Sequence, residues 1–264
     1  MKLDTMTWPE VEQLGDDVVA LLPIAAFEQH GHHLPLEVDS RITQAMAERL
    51  EAGRGDWLVL APTLWCGASD HHLAFPGTLS VPNGVYIDLL VALVDSMLNA
   101  GFQRIVLLNG HGGNIIPMQD ALVRTRRRIG SDAEVHLAGC TYWDLAGARM
   151  ASEAGMETPR ITHACEYETS MMLHLARDVV RVDLATARRP ELPSEYFDIS
   201  YHRPQRAFAA LNMDQCTCGD GAMGQPELAT AEKGAKLLDV IVNEVGKFLD
   251  EFRNWPFVPG RGQA

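Results

Sequence analysis

Short apolar runs and longer helical patterns alternate along the chain. Runs suited to buried strands lie near residues 17–24, 57–61, 104–109 and 134–139, each of the length expected for a strand covered on both faces. Between them the spacing turns helical. Residues 41–52 place Ile42, Met46 and Leu50 on one face, and residues 85–99 carry an almost wholly apolar helix pattern that Gly101 ends. Residues 115–128 and 164–176 supply two more helices. A last one runs from about 227 to 252, after Pro226, with Leu237, Leu238, Ile241, Val245 and Phe248 on one stripe. This β-α-β-α order predicts right-handed crossovers and an α/β fold, a mainly parallel sheet with helices on both faces. The stretch 186–226 is rich in Pro, Arg, Asp and Gly and lacks periodicity. It reads as a long excursion that covers a site or contacts a neighbouring subunit. Residues 66–80 and 140–160 read as further recognition loops.

Composition narrows the field of partners. The chain has 264 residues and 47% apolar content, enough for a single domain over 1–264. A formal net charge of −13 excludes an electrostatic grip on nucleic acid or on an anionic membrane. The one tight basic run, Arg124 with Arg126, Arg127 and Arg128, falls where a helix ends and complements its dipole. No basic start with an apolar signal core and no apolar run of roughly 20 residues is present, so a cytoplasmic protein is expected. Five cysteines with irregular spacing do not make a disulfide framework, and the Cys216-x-Cys218 pair has no second pair to complete a thiolate zinc site.

The chemistry gathers in three segments. Glu28-Gln29-His30-Gly31-His32-His33 through Asp39 follows the first apolar run directly. In an extended backbone Glu28 and His30 share a face while Gln29 points away, and Asp39 at the start of a helix could reach back to them. Taken singly, each has a bland role: a solvated carboxylate, a satisfied buried histidine, a helix N-cap. Their clustering favours half of a metal site, for which His32 and His33 read as equally good ligands. The third apolar run empties into Asn109-Gly110-His111-Gly112-Gly113-Asn114. Alone, this turn resembles an anion cradle with glycines free to take positive φ. Beside the first cluster, His111 reads as a ligand meeting Glu28 and His30 at the carboxyl edge of the sheet, where ligands of such sheets bind. The third segment, His163-Ala164-Cys165-Glu166-Tyr167-Glu168-Thr169-Ser170, opens a helix with acids in its first turn. By itself it is equally a capped helix start.

Taken together, Glu28-Gln-His30-Gly-x-His-Leu-Pro-x-x-x-Asp39, Asn109-Gly-His111-Gly-Gly-Asn114 and His163-Ala-x-Glu166-x-Glu168-Thr-Ser170 resemble the motifs of the creatininase family of amidohydrolases. Phe75-Pro76-Gly77-Thr78-Leu79-Ser80 and the late Gly224-Gln225-Pro226, with Ala229-Thr230-x-Glu232-Lys233-Gly234, match as well. The resemblance implies a three-layer α/β/α sandwich, a homo-oligomer that is often a hexamer, and two adjacent divalent ions. It assigns Glu28, Asp39 and His111 to one metal, His30 and Glu166 to the second, and the bridging position to Asp39. Creatininase itself has Tyr-Glu where this chain has Gly112 and Gly113, and a Glu where it has Thr162. That departure gives Glu166 the role of the missing carboxylate and points away from creatinine. The Gly-Gly branch resembles formamide hydrolases of pyrimidine precursors and the peptidase of mycofactocin maturation.

The implied reaction is hydrolysis of a non-peptide C–N amide bond, in a small cyclic amide or a formamide, by a metal-bound hydroxide, with Glu166 at the second ion and His163 relaying the proton to the leaving nitrogen. Zn, Mn or Fe(II) suits mixed carboxylate and imidazole ligands. His72 is expected in the substrate pocket and Glu168 as an orienting partner. Two other classes stay open: a non-catalytic protein holding a phosphorylated ligand, and a metal-dependent isomerase or lyase acting on a sugar-like substrate.

Overall fold

The computed structural model describes residues 1–158, 160–187, 194–198, 200–201 and 206–258. Its longer elements run, in chain order, α1 (Trp8–Glu12), β1 (Val19–Ile24), α2 (Val38–Ala52), β2 (Leu58–Leu60), α3 (Asn83–Asn99), β3 (Arg104–Asn109), α4 (Ile115–Ile129), β4 (His136–Thr141), α5 (Tyr142–Glu153), α6 (Glu166–Leu175), α7 (Met213–Cys216) and α8 (Ala231–Arg253). The four strands form one parallel sheet in the order β2-β1-β3-β4.

Alternation along the strands builds the layers. Val19 and Leu21 of β1, with Val106 and Leu108 of β3, bury against α2, α5, α6 and α8. Their neighbours Ala20, Leu22, Ile105 and Leu107 bury against α3 and α4 on the other face. Both sets are wholly apolar, which is why these strands read as unbroken apolar runs. The result is the expected α/β/α sandwich.

The strand order decides where the chemistry sits. From β1 the chain moves outward to β2, then crosses back so that β3 lies on the opposite side of β1. The direction of winding therefore reverses between β1 and β3, and the helices following them leave to opposite faces, opening a crevice at the strands' carboxyl ends. Ile24, Asn109 and Thr141 stand in register along that edge.

Some boundaries differ from the sequence pattern. Residues 140–160, expected as a loop, contain the end of β4 and all of α5. Trp143, Ala146 and Met150 make its buried stripe and pack it beside α8. Gly147 and the small residues around it dilute the helical pattern. The last helix begins at Ala231 and not near 227, because Pro226–Leu228 forms a 3₁₀ turn and the Thr230 hydroxyl caps α8 by accepting from the Lys233 amide, 3.2 Å away. Part of the excursion at 186–226 lies outside the described residues. Of the rest, 206–216 lies beside the sheet's carboxyl edge, where α7 meets the 3₁₀ turn Asp70–His72. None of the described helices is long and apolar enough to cross a membrane.

Candidate metal centre

Beyond Ile24 the backbone leaves the sheet. Phe27 keeps an isolated antiparallel bridge to Leu79, and Gly31 takes φ +68°, a turn that a side chain would strain. Glu28 and His30 are buried in this turning segment, and Asp39 is buried in the first turn of α2. His111 follows β3, held by Asn109, whose side-chain oxygen accepts the His111 amide at 3.0 Å and whose amide donates to the His111 carbonyl at 2.8 Å. Asn114 donates to the Ala25 carbonyl and accepts from the Ala68 amide, tying this turn to the loop after β2.

The glycines of the turn serve close packing. Gly110, Gly112 and Gly113 are not among the residues at positive φ. A Cβ on Gly113 would lie 2.0 Å from the Ala68 carbonyl oxygen and 2.5 Å from His111 Nε2, so only glycine lets the chain pass beneath the imidazole.

Two groups of donor atoms result, each drawn together within 4.8 Å: Glu28, Asp39 and His111; and His30, His163 and Glu168. Asp39 joins them, with Oδ1 3.2 Å from His30 Nε2 and Oδ2 3.2 Å from His111 Nδ1. A third set, Glu28, His72 and His163, shares members with both.

Backbone carbonyls fix the orientation of three rings, since a carbonyl accepts only from a protonated nitrogen. His30 Nδ1–H donates to the Glu28 carbonyl at 3.1 Å, His111 Nε2–H to Ala68 at 3.2 Å, and His163 Nε2–H to Gln29 at 2.9 Å. The other nitrogen of each ring is left facing the carboxylates, as metal-binding histidines are normally held.

Gln29 and Glu166 stand where sequence spacing does not put them. Gln29 is expected to point away, yet its amide lies 3.0 Å from His72 Nδ1, and its carbonyl carries His163. Its amide donates to His72 Nδ1, so His72 Nε2–H faces Glu28 Oε1 at 3.1 Å. Glu166, expected to hold the second metal, is not brought to the cluster in this structure. Its carboxylate is buried away from the cluster, where it accepts from Lys233 Nζ at 2.6 Å, Thr158 Oγ1 at 2.6 Å and the Thr158 amide at 2.7 Å. Glu168 stands at the cluster in its stead. Two residues along a helix turn about 200°, so the two acids opening α6 face opposite sides. Glu168 is held by the Tyr167 hydroxyl at 2.6 Å and by the amide of Ala164, a non-glycine residue at φ +50°. Of the remaining histidines, His33 is buried with Nε2 2.9 Å from Thr169 Oγ1, and His32 is exposed.

Electrostatics explain why so many donors share one buried place. Burial opposes charging His30, but Asp39, Glu168 and Glu28 outweigh it and raise its pKa to about 9. His111 is likewise raised well above the usual range, by Glu28 and Asp39 against burial. Asp39 is correspondingly held far below the usual carboxylate range by His30 and His111, despite its burial. Burial raises Glu168, whereas burial and neighbouring histidines lower His72 and His163. Without a metal, protons on His30 and His111 balance the acids.

That balance leaves atoms unsatisfied. Glu28 Oε2 and Asp39 Oδ2 are buried with no hydrogen-bond partner, although Oδ2 lies at contact distance from His111, off the line of a hydrogen bond. Buried acceptors in that condition are costly in a protein interior. Three carboxylates and lone-pair nitrogens converging at bonding distance fit divalent cations, and the mixed N/O set suits Zn, Mn or Fe(II).

One consequence concerns pH. A metal bound through His30 would have to displace the proton that this ring holds up to about pH 9. Binding of Zn or Mn at pH 7.5 is expected to release protons, and affinity should climb with pH until about 9. Calorimetry in buffers of differing ionisation enthalpy measures this, and binding with no proton release would contradict it. In metal-free protein the raised pKa stabilises the fold fully below the unfolded value near 6.5, and that contribution disappears as pH rises through about 9.

The cluster encloses a cavity of about 20 Å³ lined by Glu28, Asp39, His72, His163 and Glu168 among others. His71, Gly112 and Tyr201 line both this cavity and an adjoining pocket of about 490 Å³.

Comparison with known proteins agrees with this architecture. Residues 4–249 match the family model described as creatininase, creatinine amidohydrolase. The mycofactocin precursor peptide peptidase of Mycobacterium ulcerans (strain Agy99) is 31% identical over 248 residues, covering 90% of this chain and 83% of that protein. The 3-dehydro-scyllo-inosose hydrolase of Thermotoga maritima is 28% identical, covering 93% and 81%. A solved mutant creatininase of the Zn-Zn type superposes with TM-score 0.79 at 25% identity, over 96% of this chain and 98% of that one. The chain belongs to the creatininase family.

Proposed function

We propose that the protein is a metal-dependent hydrolase that cleaves a C–N amide bond outside peptides, in a cyclic amide or a formamide, at a dinuclear site. The observation that carries this reading is the placement of Asp39, whose two oxygens each stand 3.2 Å from a histidine of a different donor group. Glu28, Asp39 and His111 would hold one ion, and His30, Asp39 and Glu168 the other. Ions held there supply Lewis acidity, polarising a carbonyl and making water acidic enough to attack at neutral pH.

The chain's own residues then divide the work. His163 is neutral before the reaction, because burial and His30 depress its pKa. Its Nε2–H is committed to the Gln29 carbonyl, so Nδ1, 3.9 Å from Glu28 Oε1, is the atom free to carry a proton. Water oxygen bonds to the carbonyl carbon, His163 Nδ1 takes a proton from that water and delivers it to the departing nitrogen, and the C–N bond breaks. An acid and an amine leave. His72 holds Glu28 in place through Nε2 and is itself held by Gln29. Support for an amide substrate comes also from a creatininase and a peptide peptidase among the similar proteins.

The test is hydrolysis by metal-loaded protein of a panel of lactams, cyclic ureas, formamides and short peptides in H₂¹⁸O. Amine release with ¹⁸O in the new carboxylate is expected for a non-peptide member. Isomerised product without label would favour the sugar-like substrate. Tight binding of a phosphorylated ligand to metal-stripped protein would favour the binding protein.

A further inference from the structure

The pocket of about 490 Å³ beside the metal centre has the size of a ligand site, and its walls are unlike the cluster it adjoins. It lies between the turn that begins α4, the 3₁₀ turn Asp70–His72 and the segment leading into α7. Two of its wall residues are large and apolar yet open to solvent: Ile116 is 61% exposed and Phe208 77%. Leu211 and the buried Pro117 line the same pocket. Apolar surface of this kind at the mouth of a site marks a place where something apolar is received.

Charge sharpens the class of ligand. Among the described lining residues there is no Lys or Arg, and the ionisable side chains are Asp70, His71, Tyr201 and Cys216. The Asp70 carboxylate is fixed by the Ser80 hydroxyl at 2.6 Å. Among the described lining residues an anionic group entering here would meet a carboxylate and no Lys or Arg.

Gly112 joins pocket to cluster. It lines both spaces, and a Cβ built on it meets no atom within 4 Å. Gly113 is required by packing, but nothing in the fold demands glycine at 112. A side chain there would extend from a wall that the two spaces share.

We propose that this pocket receives an uncharged, apolar substituent of the amide substrate, and that Gly112 sets the specificity by leaving the way from the pocket to the metal centre open. The proposal rests on the hydrolase reading for what lies at the inner end of that passage. The substrate is thus an amide with a hydrophobic arm lying over Ile116 and Phe208, with no carboxylate at its far end.

A series of alkyl hydroxamates, from acetohydroxamate to octanohydroxamate, separates the two ideas, because the head chelates a divalent metal and the tail reports on the pocket. Titration calorimetry on Mn- or Zn-loaded protein, repeated after chelator treatment, gives affinity against tail length. Each methylene that the pocket buries should tighten binding about fourfold. A carboxylate on the end of the octanoyl tail should forfeit at least tenfold. Ile116→Asp and Phe208→Asp should flatten the dependence on length, and Gly112→Val should weaken long tails more than acetohydroxamate. Affinity independent of tail length in wild type overturns the pocket assignment, whatever the head does. Head-group binding that ignores the metal overturns the hydrolase site and leaves the tail dependence to decide the pocket. An Ile116→Asp variant that changes the oligomeric mass while keeping the full tail dependence would show a second copy as the occupant and also overturn the assignment.

Discussion

Asp39→Asn is expected to remove both ions from the protein and lower kcat/KM for its amide substrate by at least about 100-fold. Partners one shell out from a metal already cost about 10–100-fold when removed, and a carboxylate shared by two ions sets a higher floor. Asparagine keeps the shape but not the chemistry. One of its two ends becomes an NH₂, which presents hydrogens to a cation where Asp39 presents lone pairs to both sides. The charge matters as much, since Asp39 is a main reason that His30 and His111 hold protons in the metal-free state. Metal analysis after dialysis reads the result. Loss of one ion per chain would keep Asp39 as a ligand and refute the bridge; two ions retained would refute the assignment.

The fold was legible in the sequence because β1, β2 and β3 are buried on both faces. Apolar runs at β1, β2 and β3 allow few other readings, and the helices between them fix the crossovers. The reversal between β1 and β3 follows from strand order, which no local pattern reveals. The meeting of Glu28 and His111 at one edge was nonetheless legible, since each follows a strand and both strands end there. What stayed hidden depends on side-chain direction in irregular backbone. An extended backbone after Phe27 would carry Gln29 away from the cluster, whereas the turn at Gly31 brings its amide between His72 and His163. Ser69 comes from a loop whose approach to His111 depends on Asn114 holding Ala68. No spacing in the sequence encodes that contact.

The two acids of α6 should separate function from stability. Glu168→Gln is expected to lose the second ion and about 100-fold in kcat/KM, with little change in the melting temperature of metal-free protein. Burial already raises the Glu168 carboxyl toward neutrality, so a neutral amide of the same shape asks little more of the fold. Glu166→Gln should do the reverse. Its carboxylate gathers Lys233, Thr158 and the Glu157 amide, and so joins the start of α6 to the 154–158 loop and to α8. An amide in its place turns an NH₂ toward those donors and leaves Lys233 with the exposed Glu157 carboxylate and the Leu228 carbonyl. Breaking a buried pair costs roughly 3 kcal/mol, which in a domain of this size lowers the melting temperature by about 6–12 °C. Metal content of folded Glu166→Gln protein should remain that of wild type. Thermal melts with and without chelator, paired with metal analysis of each variant, decide the matter. If Glu166→Gln loses an ion and Glu168→Gln keeps both, then Glu166 is the metal ligand and Glu168 the structural acid.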